Sequence, residues 1–207
     1  MPEANALLDD YCLPPHRRTG HFTNRELTTI AVLAALHFAV SFAARMAGGM
    51  LYVFLGPWST FVDGIGGEGI PCLLLAVTIV LVPRAGTATY AILTVWLLNA
   101  IVSGTFNATS IVQVSVSVVM HELILALSGV TLRRQPCSAE IIRIATAIGA
   151  ANAAVLYVQF FIAINLYHLQ FPISFVHQVS LITGFGYGAL GAAVGTAWGR
   201  RLRRTAP

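Results

Sequence analysis

Few side chains in this 207-residue chain could do chemistry, and most of those stand in apolar surroundings. Glu122 follows His121 in a run of apolar, serine and threonine residues. An ionisable group at such depth faces a cavity or a partner. It therefore reads either as a ligand- or proton-binding group or as a protonated acid bonded to a neighbouring helix. Asp63 and Glu68 lie in the glycine-rich stretch FVDGIGGEGIP, as ligand groups or as solvated loop carboxylates. His121-Glu122 opens an HExxH pattern, but Leu125 holds the place of the second histidine, so the zinc pair is missing. Ala126-Leu127-Ser128-Gly129 is a poor match to an intramembrane serine protease motif, and there is no phosphate loop. The remaining polar groups fall into sets at helical spacing: Trp96, Asn99 and Ser103; Gln113, Ser117 and His121; Asn152 and Gln159. As interhelical hydrogen bonds each would contribute only about 0.6 to 2 kcal/mol. Together, and with His37, they describe a polar, aromatic-lined pocket for a small heteroaromatic ligand. No metal or other cofactor is expected.

These side chains need elements to carry them. A hydrophobic fraction of 57%, charged residues at 10% and a mean hydropathy of +0.76 imply an integral membrane protein. The stretch 27–46 is nearly all apolar, and at 1.5 Å per residue such a helix spans the roughly 30 Å core of a bilayer. Ala31, Ala35, Ala39 and Ala43 recur along it every fourth position as a smooth stripe. His37, Ser41 and Arg45 recur likewise, about 160° around the helix. One face suits close helix contact and the other is polar. Residues 47–59, with Gly48, Gly49, Gly56 and Pro57, predict a non-helical, aromatic loop. Further helices are predicted over 60–82, 87–103, 108–132, 139–166 and 174–198. The second is weakened in its first half by glycines, and the last carries a small-residue spine of Gly184, Gly188, Gly191, Gly195 and Gly199 for close packing.

The expected fold is thus an all-α membrane protein of six spans. Residues 1–21 form a polar cytoplasmic tail rather than a signal peptide, 22–200 the membrane domain and 201–207 a basic tail. The net charge of +4 comes with no lysine at all. With both termini inside, eleven of the twelve arginines are cytoplasmic and Arg45 alone faces out, as the positive-inside rule asks. The charge thus marks helix ends, not a nucleic-acid partner. Cys12, Cys72 and Cys137 are isolated, without metal spacing, and read as packing residues or bystanders.

The chain resembles the substrate-binding S component of an energy-coupling factor (ECF) transporter, nearest to the YkoE-type group linked to hydroxymethylpyrimidine and thiamin. The likeness spans roughly residues 27 to 199. It is carried by the alanine stripe, the junction VPRAGTATYAIL, the outer turn SGTFNATSIVQ and Glu122 in mid helix. Where such proteins often carry an acidic residue early in the third helix, this chain has Thr89 and Tyr90. The resemblance implies a subunit of the plasma membrane that binds a vitamin or precursor and catalyses no covalent step. It implies docking through Ala31, Ala35, Ala39 and Ala43 on a transmembrane coupling subunit driven by two ATPases. The binding residues would be Glu122, His121, Trp96, Asn99, Gln113, Asn152, Gln159, Glu68 and His37. Tyr52, Phe54 and Trp58 of the first loop would form a lid. Two rival readings are an intramembrane enzyme using His121 and Glu122 with Asp63 and Glu68, and a membrane assembly subunit.

Overall fold

A computed structural model describes residues 21–55, 65–104, 106–128, 138–168 and 170–205. The N-terminal tail, Trp58, Asp63, and the linker with Arg133, Arg134 and Cys137 lie outside them. Among the described residues every regular element is helical.

Helix α1 runs over Asn24–Leu55. It opens on a capping box in which the Thr23 amide donates to Glu26 (2.8 Å) and the Glu26 amide to the Thr23 hydroxyl (3.3 Å). It does not end at Gly48. Two glycines cost an α-helix only about 1 kcal/mol each, whereas an open backbone amide in an apolar medium costs several. The predicted loop from 47 is therefore helical as far as Leu55.

A π-helical turn, Ile65–Gly69, leads directly into α2, Ile70–Leu81. Residues 74–80 of α2 are all buried. Their sequence is apolar but for Thr78, whose hydroxyl is satisfied by the Leu74 carbonyl (2.7 Å), which suits a rod enclosed on all sides, and α2 packs against α1, α3, α5 and α7. Helix α3, Thr87–Ser103, has the predicted bounds, because Gly86 (φ 87°) and Gly104 (φ 66°) take the left-handed conformation at its two ends. Helix α4, Ala108–Leu127, starts at a second capping box, Asn107 with Ser110. Helix α5 is Ser138–Tyr167. Helix α6, Ile173–Val179, the π-helical stretch Ser180–Tyr187 and α7, Gly188–Thr205, follow without a break as one rod.

Four of these rods are long and apolar enough to cross a bilayer: Asn24–Phe54, Ala108–Leu127, Glu140–Leu166 and Ile173–Arg203. Gly66–Leu81 and Thr87–Ser103 are apolar but shorter. The composition and these helices make the chain a membrane protein.

The tightest contact joins α2 and α7. A Cβ built on Gly191 would lie 1.9 Å from the Gly69 carbonyl oxygen, and one on Gly195 2.1 Å from that of Leu73. The two backbones thus touch in matching four-residue steps. Gly184 and Gly188, in the same rod, lie against Ala153 and Gly149 of α5.

One end of the bundle is tied by ions. Buried Arg84 donates to Glu26 Oε1 at 2.8 Å and to the His21 carbonyl at 3.1 Å, with its guanidinium 5.7 Å from the Phe22 ring centre. Arg203 donates to the Val80 carbonyl at 3.2 Å. The start of α1, the end of α2 and the end of α7 therefore meet at the same level.

Candidate functional site

At the opposite end, α1, α3, α4 and α5 enclose a cavity of about 390 Å³ with α2 as its floor. Each helix contributes residues one or two turns apart, so the side chains emerge on one face. His37 and Arg45 come from α1, Trp96 and Asn99 from α3, Gln113, Ser117 and His121 from α4, and Asn152 and Gln159 from α5. Pro71, Cys72 and Leu75 make the apolar floor. The cavity gathers seven of the nine binding residues expected from sequence: His37, Trp96, Asn99, Gln113, His121, Asn152 and Gln159. Cys72 is a buried free thiol, a packing residue.

Hydrogen bonds fix several of these groups. The Arg45 Nη2 group donates to Asn99 Oδ1, and Arg45 Nε donates to the Ser41 carbonyl at 3.3 Å. Asn99 Nδ2 donates in turn to the Val95 carbonyl at 3.0 Å, which orients its amide. Buried His121 places Nδ1 2.8 Å from the Ser117 carbonyl. A carbonyl only accepts, so Nδ1 carries the hydrogen. The Trp96 indole packs edge-on against Phe106, with ring centres 5.5 Å apart, and its buried N–H has no partner.

Asn152 holds the inner wall. Its Nδ2 donates to Glu68 Oε2 at 2.7 Å and to the Gly184 carbonyl at 3.3 Å. The side chain thereby links α5 to both π-helical segments. Glu68 is no part of the cavity lining; it sits behind Asn152 as its acceptor.

Glu122 also departs from expectation. It accepts from the Thr89 amide at 3.1 Å and the Thr89 hydroxyl at 3.0 Å, at the start of α3. The physical reason is helical: one residue past His121 is a turn of about 100°, so only one of the pair can face the cavity. Glu122 is a helix-end acceptor, where partial positive charge gathers. Glu122→Ala is expected to lower stability by about 1 to 3 kcal/mol with ligand affinity unchanged. Glu122→Gln, which keeps an acceptor, should melt near the wild type. A drop in affinity for Glu122→Gln at constant melting temperature would return this residue to the binding site.

Other expectations concern surfaces. Tyr52 and Phe54 stand exposed on the last turn of α1, helical and away from the cavity, not on a loop over it. Ala31, Ala35, Ala39 and Ala43 are all exposed. Only 11% of the apolar window of α1 is buried, against 44% of the 173–203 rod, so α1 is the least covered of the four long rods. Sequence reasoning missed Arg45 as a lining group. Its four-residue step from Ser41 and His37 places it on the same polar face as the lining residue His37.

No protein-family model, no curated protein and no solved structure matches this chain.

Proposed function

We propose that the chain is the substrate-binding membrane subunit of an ECF-type importer for a vitamin or vitamin precursor. One observation carries the reading: the two faces of α1 differ in character and surroundings. The polar face lines a cavity of ligand size with groups from three other helices, and the alanine face is exposed. A ligand enters from outside, is held by α1, α3, α4 and α5, and is released inside once the alanine face docks on a transmembrane coupling subunit with two ATPases. The chain itself makes and breaks no covalent bond. His121 and Glu122 turn to different neighbours, which is poor geometry for one acid–base pair.

In this reading six helices cross the plasma membrane with both termini inside. The level shared by Glu26, Arg84 and Arg203 supports it, since it gathers basic helix ends on one side. Arg45 and Asn99 then mark the outer side.

Two experiments bear on this. Tagged chain isolated in mild detergent should bring with it a coupling subunit, two ATPases and a retained small molecule; turnover by the chain alone would favour an enzyme instead. For orientation, single cysteines at Leu202 and Ala108, in a chain lacking Cys12, Cys72 and Cys137, are probed in intact cells with an impermeant thiol reagent. Position 108 should label and 202 should not, and the reverse pattern would overturn the arrangement.

A further inference from the structure

We infer that the ligand of this cavity is a small ring compound carrying a single carboxylate, which Arg45 receives. The inference rests on the binding role proposed above and narrows it.

Arg45 is a cation at the mouth of a cavity in which, among the described residues, no carboxylate takes part. The two acidic groups nearest in sequence to lining residues are engaged elsewhere: Glu68 by Asn152, and Glu122 by Thr89. A guanidinium has five N–H donors and no acceptor. Ser41 and Asn99 take one donor each, both through neutral oxygens. They fix the plane of the fork without cancelling its charge. Arg45 is exposed at the mouth, where an incoming anion meets it first, and a planar fork matches a carboxylate with two parallel bonds.

The Trp96 ring lines the cavity and packs edge-on against Phe106 behind it, a wall that suits a flat ring. Gln113 and Gln159 add amides that serve either donor or acceptor edges. A phosphate dianion would ask for more cations than the one found here. A cationic ring compound would meet Arg45 as a like charge.

The experiment uses the full chain purified in mild detergent and native mass spectrometry. The probes are an equimolar mixture of nicotinate, 4-aminobenzoate and 2-naphthoate as anions, nicotinamide and hydroxymethylpyrimidine as neutral rings, and thiamin as a cation. Any ligand carried over from the cell is identified alongside. The wild type should retain a carboxylate, and Arg45→Gln should weaken it about 10- to 100-fold, the scale of a lost charge-assisted hydrogen bond. Arg45→Lys, which keeps the charge without the fork, should fall between. Trp96→Ala, which removes the ring wall, should weaken it several-fold. If thiamin or a neutral ring is retained equally by the wild type and Arg45→Gln, the carboxylate assignment is wrong while the binding role stands. If the chain holds neither a cell-derived ligand nor any probe, the binding role falls and this assignment with it.

Discussion

Placing tryptophan at both Ala35 and Ala39 is expected to abolish uptake while leaving the isolated protein folded and able to bind ligand. Lipid tails are as apolar as the helices they surround, so helix association in a bilayer depends on close van der Waals packing rather than on a hydrophobic drive. The two alanines are one turn apart on the exposed face of α1. Two indoles there would hold a partner helix several ångströms away along more than a turn. Recovery of the coupling subunit and ATPases should fall by about tenfold or more, equivalent to at least ~1.4 kcal/mol of association. The cavity is lined from the other side of α1, by His37 and Arg45, so affinity of the purified variant should be unchanged. Binding assay and pull-down separate the outcomes. Lost affinity with intact pull-down would reverse the two faces. Intact uptake would remove the docking assignment.

The second large effect lies on the opposite flank. Gly195→Ala, and more so Gly195→Val, is expected to prevent normal packing of α2 on α7. The smallest side chain would enter the Leu73 carbonyl at 2.1 Å, a backbone atom that has no rotamer to change. Overpacking in a filled core costs typically about 1–3 kcal/mol and more where backbones must part. Gly191→Ala should behave alike against the Gly69 carbonyl. Gly49→Ala is the internal control: it is helical, and an added Cβ there meets nothing within 4 Å. It should be neutral or gain up to about 1 kcal/mol. Thermal unfolding in detergent, followed by circular dichroism, reads all four variants. A Gly195→Ala protein that melts with Gly49→Ala, at or above the wild type, would show that α2 and α7 are not in backbone contact.

Periodicity carried much of this arrangement. The bounds of α3 were legible because Gly86 and Gly104 punctuate an otherwise unbroken apolar run. The cavity wall was legible as three polar sets on three helices, since a step of three, four or seven needs no knowledge of neighbours. What depended on neighbours was lost. Glu122 is conspicuous by charge, but its acceptor role requires the start of α3 beside mid α4, and nothing local in the sequence places Thr89 there. Gly48 and Gly49 resemble a break, yet helix-breaking propensity is a weak term where the alternative is an unpaired amide in an apolar environment. Periodicity puts Arg45 on the polar face of the first helix with His37 and Ser41, but that it lines the cavity depends on Asn99 of α3 standing beside it. The π-helical segments had no distinct signal either, since their glycines also suit close packing or a loop.

The stretch Ser180–Tyr187 sets a rotational phase. Within it and directly after it, Gly184 and Gly188 turn to α5; further along α7, Gly191 and Gly195 meet the Gly69 and Leu73 carbonyls. A π-helical turn accommodates a residue beyond the α-helical count, and Asn152 engages the Gly184 carbonyl there. Inside a regular α-helix one added residue swings everything after it by about 100°. The wider turn absorbs that residue, so the glycines that admit the Gly69 and Leu73 carbonyls stay turned to them. At this point the fold separates chain length from helix phase, and a one-residue change in length is better tolerated here than in α2, where it would turn every later side chain to a different neighbour.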